Sequence, residues 1–160
     1  MLHERNYMKN SWNAPSELNF ENSAVLKLLL INVAFFVIQA LSNTLFPGVS
    51  FIENIFAFSR TSVLEGKFWT FLTYSFLHAH LLHIAGNMLG LYFIGKEIEP
   101  SLGKKRFITL YLGSALLGSV FFICSNYGLI GASSTVIGAS ASISGILCFY
   151  CLLKPEERIT

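Results

Sequence analysis

Apolar residues do not alternate along this chain; they come in long runs. No Asp, Glu, Lys or Arg occurs over residues 28–52, 68–95 or 107–153, runs of 25, 28 and 47 residues. About 20 residues of apolar helix cross the hydrocarbon core of a bilayer. The first two runs therefore hold one span each, and the third holds two. The middle of the third, 125–135, carries Asn126, Gly128, Gly131, Ser133 and Ser134, which favour a turn. The pattern predicts an all-α polytopic membrane protein with four transmembrane helices, over about 24–46, 72–95, 107–125 and 136–153. A polar segment, 1–23, precedes them, and 155–160 reads as the start of a further connection, cut short. The first apolar run is too long for a secretory leader and lacks a small-residue cleavage site, so it is expected to be a retained span.

Composition agrees with a membrane setting. Hydrophobic residues make up 53% of the 160 and charged residues 12%, where soluble domains carry about a quarter charged. Placing the N-terminus in the cytoplasm puts nine of the 11 Lys and Arg residues on that side and leaves Arg60 and Lys67 outside. The connection 47–68 then faces outward, yet it holds Phe51, Ile52, Ile55, Phe56, Phe58, Val63 and Leu64. A segment of that character is expected to lie in the membrane interface. The formal charge of +2 gives no basic surface for nucleic acid. Cys124, Cys148 and Cys151 all fall in apolar runs. The Cys148–Cys151 pair lies late in a hydrophobic run, not at a helix start where thiols are activated, so it is read as helix surface.

Polar groups at membrane depth cost free energy and mark function by default. His83 and Asn87 are four apart and share a helix face. Gly86 and Gly90 share a spacing that lets a neighbouring backbone come close. The last run opens Val136-Ile137-Gly138-Ala139-Ser140-Ala141-Ser142, with Ser140 expected about one turn inside the helix. With the stated orientation all of these lie in the outer half of the membrane. A serine near a helix start sits beside unpaired backbone N–H groups that can hold an oxyanion. Each residue also has an ordinary explanation: Ser bonding back to a carbonyl, or His marking the interface. Three His fall within 78–83, but no carboxylate or Cys completes a metal site, so no metal is expected.

At this point the chain resembles the rhomboid family of intramembrane serine proteases. Gly66-Lys67-Phe68-Trp69-Thr70 resembles the family's entry to span two. His78, His83 and Asn87 match its His-x4-His-x3-Asn pattern, Gly95, Glu99 and Gly103 its Gly-x3-Glu-x3-Gly stretch, and Gly138-Ala139-Ser140-Ala141 its Gly-x-Ser-Gly motif. The resemblance implies four helices of a rhomboid-type six-helix bundle, with 47–68 as its interfacial first loop. It implies Ser140 as nucleophile, with Asn87, His83 and the Ser140 backbone N–H holding the oxyanion. His78, Gly138, Ala139, Gly86 and Gly90 would be structural or line the cavity. Glu97 or Glu99 would bond to nearby backbone. Substrates would be transmembrane proteins within the lipid bilayer, with no cofactor, and the setting a bacterial-type cell membrane.

Three departures stand out. Thr70 replaces an Arg that the family usually carries, which puts the anchoring of the first loop in question. Ala141 replaces a Gly and adds a methyl where helices pack closely. The histidines are 3, 78, 80 and 83 only, whereas the family's general base is a His on the sixth span. A serine needs a base to take its proton, so these 160 residues alone are expected to be inactive. The alternatives are a non-catalytic rhomboid-like protein that binds transmembrane clients and a small membrane scaffold.

Overall fold

The computed structural model describes residues 23–126 and 135–153. Four longer helices dominate. Helix α1, Ala24–Leu45, begins at Ser23, whose side chain accepts a hydrogen bond from Leu26 N. Its other unpaired N–H groups are satisfied from a distance. The buried Glu99 carboxylate accepts from Ser23 Oγ and Ala24 N, both at 2.6 Å, and from Val25 N at 3.0 Å. Of the two acidic residues proposed to bond backbone, Glu99 does so, and Glu97 is exposed.

The connection after α1 is built from short elements: helix α2, Phe51–Phe56; strand β1, Phe58–Ser59; helix α3, Arg60–Leu64; helix α4, Thr70–Thr73; and a 3-10 turn, Tyr74–Phe76. Ser59 and Ser62 cap α3 reciprocally. The connection is tied down without an arginine. Lys67 Nζ donates to Asn54 O at 3.1 Å, Trp69 Nε1 to Ile55 O at 2.8 Å, and Thr73 Oγ1 to Phe56 O at 2.8 Å. Three consecutive carbonyls at the end of α2, which lack helical partners, are thus taken by three side chains. Thr70 is fully buried and donates to Lys67 O at 2.6 Å. Phe51, Ile55, Leu64, Phe68 and Trp69 remain exposed on the surface of the connection.

Helix α5, Leu81–Leu102, starts nine residues later than the expected second span and runs seven further. Its start is set by His80, whose Nδ1 accepts from His83 N at 3.1 Å as an N-cap. Residues 77–80 are left non-helical. Gly103, at φ +78°, turns the chain into helix α6, Lys104–Asn126. Strand β2, Thr135–Val136, pairs antiparallel with β1, Phe58 opposite Val136 and Ser59 opposite Thr135. Helix α7, Ser140–Leu153, follows, starting four residues later than expected because 135–136 are in the sheet and Gly138 has φ +117°. Most of the expected turn at 125–135 lies outside the described residues, as does 155–160.

Among the described residues, Ala24–Leu45 and Lys104–Ser125 are long and apolar enough to cross a membrane. Helix α5 carries Lys96, Glu97 and Glu99 in its last turns, and α7 is described over 14 residues. The core joins the inner faces of all four longer helices through Val25, Leu28, Leu91, Ile98, Phe107, Tyr111 and Ile146. A second cluster, with Phe58, Tyr74 and Ala115 at its centre, seats the connection on α6.

Helix approaches are closest at small residues, though not all of those expected. A methyl built on Gly86 meets no described atom within 4 Å, and one on Gly90 meets only the Ile143 side chain, at 3.2 Å. The tight contacts lie elsewhere. A Cβ on Gly118 of α6 would sit 2.6 Å from Ala141 Cβ, and one on Gly145 of α7 would fall on the Ser114 side chain. These pairs run in opposite directions along the two helices, so α6 and α7 are antiparallel. They also account for the methyl of Ala141: Gly118 makes the room it occupies.

Candidate functional site

The site forms where three irregular stretches meet: the turn 77–80, the first turns of α5, and the segment from β2 to α7. The last of these is fixed before the helix begins. The β1 pairing holds 135–136, and Gly138 N donates to Tyr74 O at 2.9 Å. Tyr74 is in turn pinned to α6 by its hydroxyl, which donates to Ala115 O at 2.8 Å. Gly138 is required twice over. Its φ of +117° is unfavourable for any residue with a side chain. A Cβ there would also lie 2.6 Å from His83 Nε2, 2.7 Å from His83 Cε1 and 3.5 Å from Asn87 Nδ2. His83 and Asn87, one turn apart on α5, therefore face the backbone just ahead of Ser140.

Ser140 is the first residue of α7 and is exposed; it does not lie a turn inside the helix as expected. Its own N–H belongs to the first turn, whose donors lack helical partners. Ala139 is fully buried in the core and accepts from Ile143 N at 3.0 Å. Residues 138–140 thus read locally as a left-handed glycine, a buried anchor and an exposed serine.

His83 is oriented by backbone. Its Nδ1 accepts from Ala79 N at 3.4 Å. With Nδ1 accepting, the neutral ring carries its proton on Nε2, the nitrogen that faces Gly138. Asn87 Nδ2 is shielded from solvent and has no hydrogen-bond partner among the described residues. Two N–H donors therefore converge on the segment that delivers Ser140. His78 is fully buried against the His83 ring, with centroids 5.2 Å apart and edge-to-face. Neither of its ring nitrogens has a partner among the described residues. Gly86 is exposed, with open space where a side chain would begin; Gly90 seats Ile143 of α7.

Residues that spacing did not mark also shape the site. Gln39 of α1, buried, accepts from His78 N at 3.2 Å through its Oε1 and donates from Nε2 to Glu53 at 2.7 Å. Asn32, at the centre of α1 and fully buried, donates to Leu28 O and to Tyr111 of α6, whose hydroxyl donates to Ser75 O at 3.4 Å. Polar residues inside the apolar run of α1 were the available signal. A cleft of about 920 Å³ opens beside β2, with Glu53, Arg60, Ser62, Glu65, Thr135 and Ile137 among its lining residues.

Among the described residues the protein is mostly helical, with two helices long and apolar enough to span a membrane. An exposed Ser140 follows a glycine turn faced by His83 and Asn87. The Rhomboid domain family model matches residues 65–160, and the chain belongs to the rhomboid family. It is 28% identical to RHOMBOID-like protein 12, mitochondrial, of Arabidopsis thaliana over 87% of this chain and 44% of that protein. It is 33% identical to Rhomboid-like protein 16, chloroplastic, of the same plant over 75% of this chain and 36% of that protein. With Rhomboid protease GluP of Bacillus subtilis it shares 31% identity over 60% of this chain and 20% of that protein. The chain thus spans less than half the length of these relatives. Two of them carry organelle names, so they do not favour a bacterial-type cell membrane over an organelle membrane.

Proposed function

We propose that this chain carries the nucleophile and oxyanion-binding part of an intramembrane serine endopeptidase that cleaves transmembrane proteins. The observation that carries the proposal is the placement of His83 Nε2 and Asn87 Nδ2 against Gly138, two residues before Ser140 at a helix start. Ser140 Oγ attacks the scissile carbonyl, and the carbonyl oxygen gains negative charge. The Asn87 amide, the His83 Nε2–H and the Ser140 backbone N–H donate to it. Donors fixed in advance stabilise that charge without reorganising.

The proton on Ser140 Oγ needs an acceptor. His83 is poorly suited to that task, because its Nδ1 is engaged by Ala79 N and its Nε2 is already protonated. No histidine follows Ser140 in these 160 residues. In this reading the base is supplied from outside them, and the 160 residues by themselves are expected to hydrolyse nothing at a measurable rate. The apolar surface of 47–68 lies in the outer interface, and the Lys- and Arg-rich side is cytoplasmic. The second reading is a rhomboid-like protein that holds transmembrane clients without cutting them.

Cleavage of a transmembrane substrate in liposomes by the product of the complete reading frame tests the proposal. Asn87→Ala should lower kcat by about 10²-fold, the effect of losing one oxyanion donor, with KM little changed. Unaltered kcat in that variant would remove Asn87 from the site. Absence of cleavage by the unmodified protein would favour the client-binding reading.

A further inference from the structure

A chain of side chains runs from the outer connection into the site. Glu53 of α2 accepts from Gln39 Nε2 at 2.7 Å and from Asn43 Nδ2 at 3.2 Å, both on Oε1. Gln39 Oε1 accepts from His78 N at 3.2 Å. The next residue, Ala79, donates its N–H to His83 Nδ1. His83 Nε2 then faces Gly138. The turn 77–80 has no secondary structure to hold it, and irregular backbone at membrane depth must find its partners in side chains. Gln39 can serve His78 N only if its amide is held with Oε1 toward the turn. The Glu53 carboxylate holds it so, because a carboxylate accepts and cannot donate. Its other oxygen is shielded and has no partner among the described residues, so the two amides hold the group.

We infer that Glu53 is a positioning residue of the site, acting through Gln39 on the His78–Ala79 turn that orients the His83 ring. The purpose of that orientation rests on the protease reading, but the coupling itself does not. The connection that carries Glu53 is clamped at Asn54, Ile55 and Phe56, so a shift of the connection is felt at His83. A single carboxylate thereby ties the outer surface of the protein to the oxyanion donors.

Amide hydrogen exchange at His78 and Ala79, and the ring nitrogen shifts of His83, test this with the chain in lipid bicelles. Gln39→Leu and Glu53→Ala should each speed exchange at His78 by about tenfold, the effect of losing one buried hydrogen bond. His83 should change from the single Nε2–H tautomer to a mixture. Glu53→Gln keeps an acceptor oxygen but can also donate, so both readouts should fall between those of Glu53→Ala and the unmodified protein. Unchanged His78 exchange and an unchanged His83 signature in Glu53→Ala would overturn the inference. So would a uniform rise in exchange along all of α5, because positioning acts on this turn alone. Neither readout involves cleavage, so failure of the protease reading leaves the result intact.

Discussion

At Gly138 two independent constraints fall on one Cα: a φ of +117° and the His83 ring 2.6 Å from where a side chain would begin. Gly138→Ala should therefore cost about 2 kcal/mol or more in stability, from left-handed strain and overpacking together. It should also push His83 out of place. Denaturant unfolding in micelles and the His83 ring signals would register both, and an unperturbed His83 would contradict the packing described. At this scale the sequence was informative where residues are local to one another. The i, i+4 spacing of His83 and Asn87 was readable as one helix face, and the fold sets that face against Gly138. Glu53 and Gln39 were not readable as partners, because their pairing spans 14 positions and joins two elements. The position of Ser140 at the first residue of α7 was missed because a left-handed glycine and a two-residue strand pairing, not hydrophobicity, decide where that helix starts.

Among elements, the crossing of α6 and α7 explains how Ala141 is accommodated. Its methyl lies where a side chain on Gly118 would otherwise go, so the two positions share one volume. Gly118→Ala should destabilise the protein by about 1–3 kcal/mol. Adding Ala141→Gly should recover part of that loss, since residues that share a contact are not additive, while the Tyr74 hydroxyl, 2.9 Å from the new methyl, still crowds it. A double-mutant cycle on unfolding free energies measures it, and additive losses would refute the shared-volume account. Element boundaries were the least legible part of the fold. The second apolar run covers 28 residues without a charge, yet only its latter part is in α5, because His80 caps the helix at Leu81. Helix α5 then continues past the last uncharged residue to Gly103, since Glu99 is buried by its bonds to the start of α1 rather than excluded by its charge.

For the whole molecule, Glu99 and Ser23 mark one end and Gln39, His78 and the β1–β2 pair the other. The site and the clamped connection thus share an end, opposite the Lys104–Arg106 cluster. With the charge asymmetry, this predicts that Val49→Cys is labelled by a membrane-impermeant thiol reagent from outside and Lys104→Cys only from the cytoplasmic side, in a background lacking the three native cysteines. The opposite pattern would invert the topology. At this scale the long uncharged runs located α1 and α6, the two described helices of spanning length, because a charge in hydrocarbon is costly.

The central claim is that Ser140 is a nucleophile supported by His83 and Asn87. The most direct measurement is covalent labelling by a fluorophosphonate, with the adduct mapped by mass spectrometry on the product of the complete reading frame. The account predicts an adduct on Ser140, lost in Ser140→Ala and absent from the 160 residues expressed alone. An adduct that persists in Ser140→Ala, or no adduct on the complete protein, would contradict it.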